Sequence, residues 1–270
     1  MMNIHPTALV DPAADIAPDA SIGPWTRIEA GARIGARTRV GPQVQVFSGA
    51  IIGEDNDIHT GALLGAPPQD LSYKNQPTGV RIGHRNTIRE YATIHRSAKE
   101  GAVTTIGDDN FIMGLSHVAH DCRIGNRVVL ANGALLAGHV EVADRAFISG
   151  NVVIHQFVRI GTLAMIAGLV RVGKDVPPYT IIEGDSVVKG LNVVGIRRAG
   201  FSPEQRDRIK QAYKTLFLSG RNVTQALADL APLDMNDEIR TLTDFIRNSK
   251  RGICRHAGGE EVSGSILEGA

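Results

Sequence analysis

An aliphatic residue recurs at every sixth position over most of the chain. In steps of six from Ile4 to Val172, every position holds Ile, Leu or Val except Asp70, Gln76 and Glu100. Self-similarity at a fixed short period is typical of a repeat architecture. Six residues are too few for a helix and a turn, and this period does not match the 3.6 residues of a helical turn. The repeat therefore predicts one short strand and one corner per hexad, with the aliphatic side chain pointing inward.

Small residues accompany the aliphatic ones. The position two before is often Ala, as at Ala20, Ala32 and Ala62, which indicates a narrow interior. The position directly after is often Gly, as at Gly23 and Gly35. We expect these glycines to supply the backbone conformations that a tight corner needs. Only 4% of the residues are aromatic, as a thin interior filled by stacked aliphatic side chains requires.

Three hexads form one 18-residue turn of a three-sided prism, a parallel β-helix in which each coil pairs only with its neighbours. Residues 66–79 and 95–104 interrupt the repeat and are rich in turn-forming residues, so we expect two loops that leave the prism. Such loops can form a pocket on an otherwise smooth surface. We predict a β-helix domain over residues 1–192, a helical domain over 193–254 and a flexible tail over 255–270.

The start of the helical domain has a clear signal. Ser202 offers an N-cap, Pro203 occupies the first helical position and Gln205 completes a capping box. The pattern predicts a helix that ends near Ser219. Two further helices are expected at 222–230 and 236–249.

Charge and composition exclude several functional classes. The formal net charge is +1, which gives no electrostatic case for binding nucleic acid or an anionic membrane. The chain has no continuous apolar stretch long enough to cross a bilayer and no N-terminal signal-peptide pattern, so no membrane span is expected. Cys122 and Cys254 are too few for a disulfide framework. We therefore expect a cytoplasmic protein.

Four histidines are close in sequence, at His117, His120, His139 and His155. Because 19 and 16 residues separate the last three, each close to one coil, we expect these rings on one strip beside the loops. One possible chemistry is general-base catalysis by a neutral imidazole, with Asp121 as its helper. The other is a zinc site, as in carbonic anhydrases with this fold. A purely structural β-helix is a third possibility, in which His120 would carry no function.

Several segments resemble one family of hexapeptide-repeat enzymes, the UDP-N-acetylglucosamine O-acyltransferases of lipid A synthesis. The resemblance extends over nearly the whole chain, including both loops and the helical domain. The segments that carry it are Pro68-Gln69-Asp70-Leu71, Thr93-Ile94-His95-Arg96, Ser116-His117-Val118-Ala119-His120-Asp121-Cys122, Leu130-Ala131-Asn132, Ala137-Gly138-His139-Val140, His155-Gln156-Phe157, Asp175-Val176-Pro177-Pro178-Tyr179 and Arg198-Ala199-Gly200-Phe201.

The resemblance implies an all-β left-handed parallel β-helix with a small C-terminal α-helical domain, assembled as a homotrimer with sites between subunits. It implies transfer of a 3-hydroxyacyl group from acyl carrier protein to UDP-N-acetylglucosamine, with no metal and no cofactor beyond the carrier's phosphopantetheine. The implied catalytic residues are His120 as base, Asp121 as its helper and Gly138 as oxyanion donor through its backbone N–H. The implied substrate-binding residues are Gln69, Asp70, His95, His117, His139, His155, Gln156, Gly168, Asn192 and Arg198.

The chain departs from the family pattern at two positions. The family often has Lys where this chain has Ser72, and an acidic residue where it has Val194. Gly168 matches a position where a larger residue shortens the acyl chain, so we expect a long acyl chain. A related N-acyltransferase, or an acyltransferase for a 3-amino UDP-sugar or a similar analogue, remains an alternative. Acetyltransferases that use coenzyme A share the hexad but lack this helical domain.

Overall fold

The computed structural model describes residues 3–233 and 236–256. Most of these residues form a left-handed, three-sided prism of short parallel strands. The hexad period predicts the prism, and the family resemblance predicts its left-handedness. Neighbouring coils pair 18 residues apart, as Ser21 does with Arg39. The separation grows to 30 residues between Asp57 and Thr87, and to 24 between Thr87 and Phe111. Those two longer coils contain the two loops.

Each side of the prism is one sheet. The strands of the first face are Asn3–Ile4, Ser21–Ile22, Arg39–Val40, Asp57–Ile58, Thr87–Ile88, Phe111–Ile112, Val129–Leu130, Phe147–Ile148, Met165–Ile166, Thr180–Ile182, Val187–Leu191 and Arg255–His256. The second face comprises Leu9–Val10, Arg27–Ile28, Gln45–Val46, Leu63–Ala66, Thr93–His95, His117–Val118, Leu135–Leu136, Val153–Ile154 and Arg171–Val172. The third comprises Asp15–Ile16, Arg33–Ile34, Ala50–Ile52, Gly79–Ile82, Val103–Ile106, Arg123–Ile124, Glu141–Val142 and Arg159–Ile160.

The aliphatic residues of the hexads fill the interior of the prism. Ile28, Leu64, Ile88 and Ile154 are among its fully buried side chains. Burying one such side chain stabilises the fold by roughly 1.5–3 kcal/mol. The core is therefore a continuous stack rather than a globular cluster, and it needs no large aromatic rings.

The glycines that follow the aliphatic residues serve a different purpose from the one expected. Except for Gly65 at φ 83°, none of them is left-handed; that conformation falls on the third residue after most of the aliphatic ones, as at Arg37 with φ 57°. A Cβ added to Gly35 would instead lie 2.6 Å from the carbonyl carbon of Gly53 in the next coil. Our conformational explanation is thus wrong for most of these glycines, and most of them are required because adjacent coils approach closely.

Helices cover the C-terminal end of the prism. They are α1 (Val193–Arg198), α2 (Pro203–Phe217), α3 (Val223–Leu230) and α4 (Asp237–Arg247), with a 3₁₀ turn at Ala231–Leu233. The expected capping box of Ser202 and Gln205 begins α2. Helix α1 was not expected. None of the helices within 3–233 and 236–256 is long and apolar enough to cross a membrane.

The segment predicted as a flexible tail begins with ordered structure. Arg255 and His256 form a strand that pairs with Val187 and Val188 of the first face. The remainder of that predicted tail, residues 257–270, lies outside the described residues.

The edge between the second and third faces is the irregular one. Both loops leave the prism there, the first between Ala66 and Gly79 and the second between His95 and Val103. The corners with His120, His139 and His155 lie on the same edge, because each follows a strand of the second face. We call this edge the histidine edge; its corners comprise residues 119–122, 137–140 and 155–158. Periodicity thus places loops and histidines together.

Candidate active site

A histidine and a carboxylate form the centre of the histidine edge. Nδ1 of His120 lies 2.8 Å from Oδ2 of Asp121. Both side chains are largely shielded from solvent, at 13% and 10% exposed. A carboxylate on one ring nitrogen fixes the tautomer, so that Nδ1 carries the proton and Nε2 has a free lone pair. The pair therefore has the arrangement of a general base and its helper.

Three further groups hold Asp121. The Ser97 hydroxyl donates to Oδ1, the Ala98 N–H donates to Oδ2 at 3.2 Å, and the N–H of Asp121 donates to Thr104 Oγ1 at 2.8 Å. Burial acts to raise the pKa of Asp121, but the hydrogen bonds from Ser97, His120 and Ala98 outweigh it and leave the pKa lowered. The carboxylate is thus ionised and oriented at neutral pH.

The first loop brings Asp70 to the other side of the imidazole. Oδ2 of Asp70 lies 3.8 Å from Nε2 of His120, beyond hydrogen-bonding distance. The Ser72 N–H donates to Asp70 at 2.8 Å, and this bond lowers the pKa of Asp70. Lys74 turns back onto its own loop, where its ammonium donates to the Leu71 carbonyl. Ser72, where the family often has Lys, therefore acts on Asp70 mainly through its backbone N–H and also through its side chain.

The next coil supplies Gly138 and His139. A Cβ added to Gly138 would lie 2.7 Å from Cε1 and 2.8 Å from Nε2 of His120. Only glycine therefore lets the backbone approach the ring so closely. The His139 ring meets that of His120 edge-on with centroids 5.3 Å apart, and Phe157 stacks on His139 at 4.5 Å.

His95 and His117 form a second pair beside this centre. Their ring centroids are 5.0 Å apart, and His117 Nδ1 lies 2.7 Å from the Thr93 hydroxyl. Burial lowers the pKa of His95 to about 4. Burial, and then the nearby charge of His120, also lowers the pKa of His117. Both rings are neutral at pH 7, so they can bind a polar substrate only as neutral donors or acceptors.

His155 does not join these rings, which corrects the prediction of one histidine strip. Its Nδ1 lies 3.1 Å from the Gln156 carbonyl oxygen and 3.2 Å from Arg251 Nη2. The reason is register, because the residue 18 positions after His139 is Phe157 and not His155. Gln156, one coil above Gly138, is exposed on the same edge, as is Gln69 on the first loop.

The remaining predicted site residues lie elsewhere on the prism. Asn192 and Arg198 line a pocket of about 730 Å³ beside α1. The Asn192 side chain accepts from the Gly195 N–H and donates to the Leu163 carbonyl, so it also caps α1. Gly168 is exposed on the edge between the first and second faces. Within a single chain, Asn192, Arg198 and Gly168 therefore do not lie beside His120.

A zinc ion would find three ligand atoms in the central cluster. One atom each from His120, Asp121 and His139 lie within 4.8 Å of one another. However, the Asp121 carboxylate already accepts from Ser97, Ala98 and His120. This pattern suits an oriented base better than a metal ligand.

Several neighbours of the centre, among them Phe157 and Ser97, were not predicted. Phe157 could have been found by counting one coil from His139. Ser97 could not, because it lies in a loop outside the repeat.

Comparison with known proteins gives a consistent result. Residues 175–254 match the family model described as "Udp N-acetylglucosamine O-acyltransferase; Domain 2", and residues 104–138 match the bacterial transferase hexapeptide model. A Burkholderia lata protein named acyl-[acyl-carrier-protein]–UDP-N-acetylglucosamine O-acyltransferase is 47% identical over 262 residues, covering 94% of this chain and all of its own length. A Synechocystis protein of the same name is 45% identical over 73% of this chain and 72% of its own.

Solved structures show the same similarity. The UDP-N-acetylglucosamine acyltransferase of Francisella novicida superimposes with a TM-score of 0.92 at 38% identity, covering 99% of this chain and all of that one. The Moraxella catarrhalis O-acyltransferase superimposes with a TM-score of 0.91 at 39% identity, covering 94% of this chain and all of that one.

Proposed function

The chain belongs to the UDP-N-acetylglucosamine O-acyltransferase family, and on this basis we propose how its residues perform the reaction. It is an acyltransferase that uses acyl carrier protein and UDP-N-acetylglucosamine in the first step of lipid A synthesis. The acyl group is a 3-hydroxyacyl chain, and its acceptor is the 3-hydroxyl of the sugar. The donor's phosphopantetheine carries the thioester, so the protein needs no further cofactor.

His120 is the general base. Its Nε2 takes the proton of the sugar 3-hydroxyl as that oxygen attacks the thioester carbonyl carbon. The imidazolium that forms is stabilised by Asp121, which stays ionised 2.8 Å from Nδ1. Asp70, 3.8 Å from Nε2, adds a second negative group on the side where the proton arrives.

Gly138 stabilises the tetrahedral intermediate. Its backbone N–H donates to the oxyanion that develops on the former carbonyl oxygen. The intermediate then expels the phosphopantetheine sulfur, which takes the proton from His120 Nε2 and leaves as a thiol. The products are an ester and free acyl carrier protein thiol, and the base returns to its neutral state.

The observation that carries this proposal is the position of the His120–Asp121 pair, which we call the dyad. His120 is held on one nitrogen by Asp121, and its other nitrogen lies against the backbone of Gly138. Beside the dyad, a groove of about 1330 Å³ is lined by Asp121, His139 and Phe157. The groove thus borders the carboxylate that orients the base, and the base itself packs on the backbone of the proposed oxyanion donor.

The distribution of exposed apolar residues supports a homotrimer. Phe147 on the first face, and Leu135 and Val153 on the second, point outward and are 37–43% exposed. Over the same coils, the third face instead carries charged residues outward, such as Arg123 and Glu141. Packing the first face of one copy against the second face of the next closes a threefold ring.

Such a ring also brings edges of different copies together, which supports shared sites that include Gly168, Asn192 and Arg198. Sedimentation of the full chain tests the trimer, and a monomer at working concentration would contradict it. The two cysteines are free and buried, which is consistent with a cytoplasmic location.

The decisive experiment is an acyl-transfer assay with UDP-N-acetylglucosamine and 3-hydroxyacyl carrier protein. We expect His120→Ala to lower kcat by about 10²–10⁴-fold. His84→Ala is the matched control, because His84 is an exposed histidine on a different edge. Wild-type activity in His120→Ala would overturn the mechanism. A UDP-sugar with a 3-amino group, offered as a competing acceptor, tests the alternative substrate.

A further inference from the structure

Ser97 lies on the second loop, 24 residues before Asp121, and is fully buried. Its hydroxyl donates to Oδ1 of Asp121 and accepts from the Lys99 N–H at 3.2 Å. The Lys99 carbonyl oxygen also lies 3.4 Å from this hydroxyl, but the Asp121 carboxylate is the nearer and charged acceptor, so it takes the single hydroxyl proton. The hydrogen bond thus has a defined direction.

The position of Ser97 depends on the first loop as well. The Ser97 N–H donates to the Gly79 carbonyl at 3.1 Å, and the Gly101 N–H donates to the Pro77 carbonyl at 2.9 Å. The Gln76 side-chain amide donates to the carbonyl of Ala98. The two loops therefore hold each other, and the loop that carries Asp70 also braces the residue that holds Asp121.

We propose that Ser97 is a positioning residue for the acyl transfer. Its hydroxyl fixes Oδ1 of Asp121, while Oδ2 is shared by the Ala98 N–H and His120 Nδ1. A carboxylate held at both oxygens cannot rotate away from the imidazole. The proton then stays on Nδ1, and Nε2 remains the base that faces the substrate.

This inference rests on the proposed function, since it concerns the base of that reaction. The test is a double-mutant cycle with Ser97→Ala and Asp121→Asn, measured by acyl transfer. We expect Ser97→Ala to lower kcat about 10- to 100-fold, with KM for UDP-N-acetylglucosamine changed less than about twofold. In the Asp121→Asn background, Ser97→Ala should cause little further loss, because a residue that acts through Asp121 has nothing left to position.

Two more variants separate positioning from a general effect on folding. Ser97→Thr keeps the hydroxyl and should recover most of the lost kcat. Ser219→Ala, the same change at an exposed serine of the helical domain, should behave as wild type. Thermal unfolding of each variant confirms that the compared proteins are folded.

Each outcome has a definite meaning. Wild-type kcat in Ser97→Ala would overturn the positioning role, as would an equal loss from Ser97→Ala in both backgrounds. A folded Ser97→Thr protein as slow as Ser97→Ala would also overturn it. Failure of the wild-type protein to acylate UDP-N-acetylglucosamine would instead overturn the proposed function, so the two failures are distinguishable.

Discussion

Nδ1 of His120 lies 2.8 Å from Oδ2 of Asp121, although the two residues are neighbours in the chain. Consecutive side chains in a strand point to opposite faces and cannot meet in this way. Asp121 has φ 61°, a left-handed conformation that turns the chain and carries the carboxylate back to the ring. This conformation costs roughly 1–2 kcal/mol for most residues, and Asp tolerates it better than most. The corner geometry of the β-helix thus creates the dyad.

The charge of Asp121 is needed to stabilise protonated His120. Asp121→Asn keeps the shape of the side chain but removes its charge, so we expect kcat to fall about 10²-fold with KM nearly unchanged. Steady-state acyl transfer measures both constants. Asp109→Asn is the matched control, because Asp109 has the same left-handed conformation, φ 58°, on another edge. Equal activity of the two variants would contradict the role of the dyad.

Gly138 is needed because the His120 ring packs on its backbone. In Gly138→Ala the new methyl group would lie 2.7 Å from Cε1 of His120, so the ring must move. We expect kcat to fall about 10-fold or more, since positional shifts near 1 Å at a reacting group are costly. Gly190→Ala is the control, because its added Cβ meets no atom within 4 Å. A fully active Gly138→Ala protein would show that the ring position is unimportant.

Gly35 is needed because the next coil passes close to it. In Gly35→Ala the added Cβ would lie 2.6 Å from the Gly53 carbonyl carbon, and we expect a loss of about 1–3 kcal/mol in the free energy of unfolding. Gly173 occupies the same hexad position, but an added Cβ there meets only Ser186 Oγ, at 3.9 Å. Gly173→Ala should therefore be close to neutral. Denaturant unfolding of both variants checks the difference, and equal losses would contradict it.

Gly168 is expected to permit a long acyl chain. Gly168→Met adds bulk at an exposed position beside Gly150, whose carbonyl oxygen lies 3.4 Å from the ideal Cβ. We expect the variant to prefer shorter acyl chains than the wild type. The measurement is kcat/KM across a series of acyl carrier proteins of increasing chain length. Gly190→Met controls for added bulk elsewhere, and an unchanged preference in Gly168→Met would refute the role.

Buried His95 should make stability depend on pH. Burial lowers its pKa from 6.5 to about 4. Between these values the unfolded chain binds a proton that the folded chain does not, so the free energy of unfolding rises with pH across this window. The contribution of His95 at pH 5 is thus about 2 kcal/mol less favourable than at pH 7.5.

His95→Gln should flatten the pH dependence of the free energy of unfolding, measured with denaturant at fixed protein concentration. His5→Gln, at an exposed histidine, should leave that dependence as in the wild type. The same slope in wild type and His95→Gln would show that His95 is not the source.

Counting residues along the repeat was enough to predict the prism, but it was not enough to predict the position of every side chain on it. Because each coil stacks directly on the previous one, the 18-residue register brings the corners of His120 and His139 together and predicts their contact. The same register puts Phe157 above His139, where we had expected His155. The sequence located the hexad glycines correctly. The reason that glycine is needed there is a contact between coils, such as the close approach of Gly53 to Gly35.

The sequence by itself determined the β-helix, its three faces and the site of the two loops, because a repeat with nearest-neighbour pairing makes position in space follow from position in the chain. Only the tertiary structure decided how the loops fold. Neither loop repeats, so no period relates Ser97 to Asp121 or Asp70 to His120. Those contacts depend on the hydrogen bonds that the two loops make with each other and with the prism, and they complete the site.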